Sequence, residues 1–307
     1  MDIDALKKKY KDVVRAASEQ KVHHIVSLGP LSLNHALGNT KGTPAGRLVQ
    51  IVGKESSGKS TLAFDIIAQH QATYPEYTVI YLDYERTYDP IYAAACGIDT
   101  ENMLLITPNS AEEGADMVEE FIATGEVKLV ILDSIPAAIP RTEHDKSMTD
   151  SPKMASSAGF ITRFVQRIAY QLDNYDVMFI AINQLRLNFS TMSPEKYVPF
   201  GGMALQYATS VRIDLERVKN ENDQQTIRAF IKKSKVGSPR GLAEFKIIYG
   251  KGIDHAGDII NLAAYFNIVR QSGAWFTYGD IKCQGLANAR LQLPLDELKD
   301  QILELQV

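Results

Sequence analysis

Residues 51–64 read IVGKESSGKSTLAF. An apolar strand runs into Gly53, the polar residues Lys54, Glu55, Ser56 and Ser57 follow, and Gly58, Lys59, Ser60 and Thr61 open a helical run. Backbone N–H groups of such a loop can wrap a polyphosphate, and the next helix directs its positive end at the same charge. Lys59 adds a full positive charge, and Ser60 suits a magnesium ion with its hydroxyl. The plainer alternative is a Gly/Ser turn with an exposed lysine. RLVQIV before the loop and TLAFDIIAQHQ after it supply the strand and helix that a phosphate-binding loop requires.

Composition limits what such a loop can serve. The chain has 307 residues, 45% hydrophobic and 23% charged, which suits one large globular domain with modest additions. No apolar run approaches a membrane span, and MDIDALKKKYKDVV at the start reads as a charged amphipathic segment rather than a signal peptide. A soluble cytoplasmic protein is expected. Cys96 and Cys283 lie far apart and the six histidines show no metal-ligand spacing, so neither a disulfide framework nor a zinc site is indicated. The net charge of −4 argues against a uniformly basic nucleic-acid binder. Between Arg212 and Lys251, however, ten Lys/Arg stand against five Asp/Glu, which allows a local basic face.

Along the chain, residues 1–30 read as a helix, with Leu6, Tyr10, Val13, Val14 and Ala17 at helical spacing, followed by the short apolar stretch HHIVSL. From 31 to 268, apolar strands (RLVQIVG, TVIYLDYE, NMLLITP, VKLVILDSI, VMFIAINQ) alternate with amphipathic helices. That alternation predicts a mostly parallel sheet covered on both faces. SVRIDLERV and TIRAFIKKSK, joined by the polar turn KNENDQQ, should extend it antiparallel. Residues 269–307 form a small terminal α/β lobe. Two stretches, PRTEHDKSMTDSPKMASS and RLNFSTMSPEKYVPFGG, fit neither element type. Both follow the carboxyl ends of parallel strands, where ligands bind in open α/β sheets, and long irregular loops there point to function or to order gained on binding.

Metal-assisted nucleotide hydrolysis needs an acid near the magnesium and a group that orients the attacking water. Asp133 ends VKLVILD and is the natural metal-side carboxylate, while Glu85 ends TVIYLDYE and is the natural base. Either carboxylate has an alternative use as a helix cap. Gln184 ends a third strand just before the second irregular stretch. A neutral amide there suits contact with a terminal phosphate and relay to the loop, or simply satisfies a strand end.

Further motifs carry a resemblance. GPLSLNHALG, GKESSGKSTL, LDYERTYDPIYAAACGID, VILDSIPAAIP, INQLR, GGMALQYATSVRIDL, AEFKIIYGKGI and GAWFTY occur in the order and at the spacings of the RecA family of homologous-recombination ATPases, which the chain resembles over nearly its whole length. The resemblance implies a P-loop NTPase core. It makes Glu85 the catalytic glutamate, Asp89 and Tyr92 the pair flanking adenine, and Gln184 a γ-phosphate sensor. The stretches 141–157 and 186–200 are similar to the family's two DNA-binding loops, with Arg141, Lys146 and Lys153 as cations in the first and Arg186 and Lys196 in the second. Gly201 and Gly202 close the second loop. Lys233 and Lys235 are similar to paired lysines that reach a neighbouring subunit's nucleotide, and the N-terminal helix resembles a segment that docks onto an adjacent subunit. Gln206 stands where the family commonly has lysine.

The expected activity is therefore that of a DNA-dependent ATPase using ATP and Mg²⁺. It would form a helical homo-oligomeric filament on single-stranded DNA and pair it with homologous double-stranded DNA. A ring-forming motor or clock-type ATPase on the same core, and a nucleotide-binding scaffold without turnover, are the alternatives. The presence of Lys59, Ser60, Glu85 and Asp133 together disfavours the scaffold.

Overall fold

The computed structural model describes residues 2–10, 22–38, 41–144, 154–188, 196–237 and 241–305, with the side chains of 144 and 154–157 outside the description. In chain order the elements begin with α1 (Ile3–Lys9), β1 (Ile25–Val26), α2 (Leu31–Ala36), β2 (Thr43–Pro44), β3 (Arg47–Gly53) and α3 (Lys59–Thr73). They continue with β4 (Thr78–Asp83), α4 (Pro90–Ala95), β5 (Met103–Ile106), α5 (Ala111–Ala123), β6 (Val127–Asp133), α6 (Arg141–His144) and α7 (Met154–Tyr175). Then come β7 (Met178–Leu187), β8 (Tyr197–Pro199), α8 (Gly202–Ala208), β9 (Val211–Asn220), β10 (Gln224–Ser234), β11 (Leu242–Ile248) and β12 (Gly252–Ile253). The chain ends with α9 (His255–Tyr265), β13 (Arg270–Ser272), β14 (Trp275–Tyr278), β15 (Ile281–Gln284), α10 (Leu286–Gln292) and α11 (Leu295–Glu304).

The central sheet has the order β12-β11-β10-β9-β3-β7-β6-β4-β5. Strands β5, β4, β6, β7, β3 and β9 run parallel, and β10, β11 and β12 add to that sheet antiparallel. The parallel strands are apolar nearly throughout because both of their faces are covered. On one face Val49 and Ile51 pack with Leu62, Ile66 and Ile67 of α3, and on the other Leu48 and Phe179 pack with Val118 of α5 and Ile168 of α7. Local capping fixes where the helices start. Ser110 Oγ accepts from Glu113 N at 3.2 Å, and the Glu113 carboxylate accepts from Asn109 N at 2.6 Å.

The terminal lobe has its own core of Ile260, Leu262, Val269, Phe276, Leu293 and Leu298, gathered by α9, the β13-β14-β15 sheet, α10 and α11. It is tied to the domain of the central sheet by His255 Nε2, 2.5 Å from Asp65 Oδ1 on α3, and by the Ser32 N–H donating to Asp258 Oδ2 at 3.2 Å.

The two stretches expected to be irregular are ordered at their ends. Residues 141–144 form α6, and α7 starts at Met154. In the second stretch β7 runs on to Leu187 and pairs antiparallel with β8, Leu185 opposite Pro199 and Leu187 opposite Tyr197. Glycines then turn the chain into α8: Gly201 has φ +104° and Gly202 φ +71°, a left-handed pair that the sequence pattern did not single out as a helix start. The extension of β7 breaks the strand's apolar run, and apolar periodicity alone therefore stopped short of it. Of the helix expected from residue 6 to 17, α1 covers Ile3–Lys9, and 11–21 lie outside the described residues.

Candidate active site

The phosphate loop leaves the carboxyl end of β3, the strand between β7 and β9 in the sheet. A Cβ on Gly53 would collide with Ser57 Oγ and with the Leu215 carbonyl, so only glycine lets the chain turn there against β9. Gly58 has φ +83° and stands at the start of α3. Ser57 Oγ and Lys59 Nζ each donate to the Lys54 carbonyl at 2.8 Å. Burial pushes the Lys59 ammonium below the usual lysine range, and the negative charges of Asp133, Glu85 and Glu55 work against that. A cavity of about 420 Å³ opens over Ser56, Ser57, Gly58, Lys59, Ser60 and Thr61, and is bordered by Arg217, Gln225 and Tyr249.

Register brings the acids together. Asp83 pairs with Asp133 across β4 and β6, so both acids stand side by side at the carboxyl ends of the parallel strands. Asp83 serves the following turn, accepting from Arg86 N at 2.7 Å and Tyr88 N at 3.0 Å. Asp133 does not cap the turn after it. Its Oδ2 accepts from Ser60 Oγ at 2.8 Å and from Tyr81 Oη at 2.7 Å. Burial raises the Asp133 carboxyl above the usual carboxylate range, against the pull of those two hydroxyls. Glu85 lies just beyond β4, where its Oε1 accepts from Ser134 Oγ and, at 3.1 Å, from Gln184 Nε2. The chemistry of Ser60 and Asp133 fits magnesium, a hard cation held through few protein oxygens, several waters and the substrate's phosphates. Among the described residues no group of three or more His, Cys, Asp or Glu forms a cage that would hold a cation alone.

Asp89 begins α4, accepting from Ile91 N at 2.9 Å and Tyr92 N at 3.2 Å. The Tyr92 hydroxyl lies 2.9 Å from Thr61 Oγ1, and burial pushes it up to about 12. Thus Tyr92 is brought to the phosphate loop, while Asp89 has a capping task of its own.

Gln184 is wired to the second loop through its neighbours. Its N–H donates to Asn183 Oδ1 at 2.8 Å, Asn183 Nδ2 donates to the Phe200 carbonyl at 2.8 Å, and the Phe200 N–H donates to the Gln184 carbonyl at 3.3 Å. The cations of that loop lie over aromatic rings: Arg186 is 4.2 Å from the Phe200 centroid, and Lys196 is 5.8 Å from that of Tyr197. Lys54 of the phosphate loop also lies over Tyr197, at 4.5 Å. Arg141 is exposed at the start of α6, its N–H donating to Glu112 Oε2 at 2.8 Å. Lys146 and Lys153 lie outside the described residues.

Lys233 and Lys235 are not brought to the loop of their own chain. Lys233 pairs with Arg212, which pairs with Gln50, and the Lys235 N–H donates to the Ser210 carbonyl, whose residue in turn donates to Leu48. The loop begins after Gly53, which pairs with Leu215. The step from Leu48 to Gly53 is roughly 16 Å of strand. Both ammonium groups fold onto the end of α8, Lys233 donating to Gln206 O at 2.6 Å and Lys235 to Tyr207 O at 2.9 Å. These carbonyls are the negative end of a helix.

A profile of the RecA N-terminal domain matches residues 3–254, and one of the RecA C-terminal domain matches 257–304. The chain belongs to the RecA family. Among its relatives, Protein RecA of Chlorobaculum parvum is 33% identical, over 99% of this chain and 90% of the relative. Protein RecA of Roseiflexus castenholzii is 36% identical over 89% and 78%, and that of Ectopseudomonas oleovorans 34% over 95% and 86%. The RecA-type core of this chain also contains residues that sequence reasoning passed over. Arg217 and Tyr249 border the loop cavity, and Tyr81 touches Asp133. Tyr249 lies within a family motif, AEFKIIYGKGI, which was a signal without a role. Tyr81 read only as one more apolar strand position.

Proposed function

We infer that the chain is a cytoplasmic, DNA-dependent ATPase and recombinase that polymerises head to tail on single-stranded DNA and pairs it with a homologous duplex. Membership of the RecA family supports the activity. The observation that carries the residue roles is the Glu85–Gln184 hydrogen bond, which joins the hydrolytic edge of the sheet to the second loop. No described helix is long and apolar enough to cross a membrane.

In this reading residues 1–30 dock onto a neighbouring subunit and the ATPase core runs from 31, but the boundary expected at 268 moves back to the start of α9, whose Ile260 and Leu262 lie in the core of the terminal lobe. The phosphate loop holds the ATP phosphates with its N–H groups, and Lys59 leaves the Lys54 carbonyl for the β/γ-phosphates. Ser60 and Asp133 would hold magnesium, which would supply neutralisation of charge on the transferring phosphate. Tyr92 and Asp89 border the adenine. Glu85, steadied by Ser134, accepts the proton of the attacking water. Gln184 exchanges Glu85 for the terminal phosphate, and its main-chain bond to Phe200 carries that displacement into β8 and the DNA-binding loop. Lys233 and Lys235 complete the adjacent subunit's site. Homology is read by base pairing between strands, so backbone contacts and stacking suffice for the protein.

ATPase measured with and without single-stranded DNA, together with electron microscopy in a non-hydrolysable ATP analogue, tests the reading. DNA-stimulated turnover and helical filaments are expected. Closed rings with DNA-independent turnover would replace it with the ring-motor reading.

A further inference from the structure

Tyr81 stands in the middle of the metal side of the site without being needed to build the strand. It is 2% exposed on β4, its ring 5.5 Å from those of both Phe64 and Tyr88. A phenylalanine would fill the same space; the hydroxyl adds only the 2.7 Å bond to Asp133 Oδ2. That bond reaches across from β4 to the end of β6. Both hydroxyls that Asp133 receives fall on Oδ2, and no described residue donates to Oδ1. Of the two donors, Ser60 has a second task toward the cation, whereas Tyr81 has none and is locked by its aromatic neighbours.

We propose that Tyr81 is a positioning residue for magnesium, holding the Asp133 carboxylate in the orientation that serves a cation bound beside Ser60. The proposal rests on the metal-side role given to Asp133 above. Outer-sphere donors of this kind orient ligands and are worth about 10–100-fold in metal affinity. Tyr81 acts through Asp133 alone and leaves the nucleotide's own contacts with the loop untouched.

The test is binding of a fluorescent non-hydrolysable ATP analogue, titrated with Mg²⁺ and repeated in EDTA, for the parent, Tyr81→Phe and Asp133→Asn. Tyr81→Phe should need about tenfold more Mg²⁺ to reach half-maximal binding, while its affinity in EDTA and its melting temperature stay near the parent's. Asp133→Asn should lose most of the Mg²⁺-dependent gain. Fluorotyrosine at position 81, a stronger donor in the same ring, keeps the test decisive should Tyr81→Phe fold poorly: it should displace the Mg²⁺ midpoint from the parent's, and a titration that overlays the parent's would overturn the proposal. If the Tyr81→Phe titration overlays the parent's while that of Asp133→Asn is displaced, the tyrosine is only a core residue and the proposal fails alone. If neither is displaced, the metal-side reading of Asp133 fails, and the proposal with it.

Discussion

Gln184 Nε2 donates to Glu85 Oε1 at 3.1 Å, tying β7 to the turn just beyond β4 although β6 lies between those strands. The amide thus lies within reach of the proposed base, and a two-state element needs such a bond to exchange. Glu85→Gln keeps the shape but removes the base. It should bind ATP and DNA while hydrolysing at least ~100-fold more slowly. Lys59→Ala, which strips the loop of its cation, should lose nucleotide binding instead. Parental turnover by Glu85→Gln would remove that residue from the chemistry. Gln184→Ala should retain nucleotide binding but lose the ATP-induced tightening on DNA, read as equal DNA affinity with and without the analogue.

Arg186 lies within the β7–β8 pairing, opposite Val198, and Lys196 directly precedes β8. Replacing both with alanine should weaken binding to single-stranded DNA and flatten its salt dependence by about one to two units of slope. An unchanged slope would move the DNA path to the basic region between Arg212 and Lys251.

The separation of Lys233 and Lys235 from their own loop invites a complementation experiment. Glu85→Gln and the Lys233→Ala, Lys235→Ala double variant should each be nearly inactive. In a random equal mixture of heterologous contacts, roughly a quarter of interfaces join an intact glutamate to intact lysines. DNA-dependent ATPase should then rise to at most about a quarter of the parental rate, with co-assembly checked by pull-down. Co-assembly without recovered activity would confine the lysines to their own subunit or to DNA.

His70 gives a pH signature. It is 3% exposed, both ring nitrogens lack a hydrogen-bond partner among the described residues, and burial, with a smaller contribution from His24, lowers it to about 4. The unfolded chain therefore binds a proton that the folded chain does not between pH 6.5 and 4, and stability is lost as pH falls through that window. Relative to the parent, His70→Phe should gain up to about 3 kcal/mol between pH 7 and pH 4 in denaturant titrations. A parallel pair of stability curves would mean that the ring is paired or solvated in solution.

The parts of the site that were legible in the sequence are those fixed by a short local pattern. The loop from Gly53 to Lys59, the acid closing β6 and the amide in β7 follow from an apolar strand ending in a polar residue. Tyr81, Arg217 and Tyr249 were not legible, because what brings them to the site is strand register over long sequence separations. The hydroxyl of Tyr81 finds Asp133 only because β4 and β6 are neighbours, and Tyr249 borders the loop cavity from just beyond β11. The β7–β8 pairing was hidden for another reason: it is only three residues long, Arg186 and Leu187 are exposed, Tyr197 and Val198 are half-buried, and no alternation of apolar and polar residues marks it.

The placement of the lysine pair and the phosphate loop toward opposite ends of strands β10 and β3 has a stoichiometric consequence. If each nucleotide is completed by the next chain, a row of n subunits contains n − 1 finished sites, and a lone subunit contains none. Specific activity would then depend on protein concentration and on row length, with a lag while short rows grow. Dilution alone would silence the enzyme, with no inhibitor and no change in any residue.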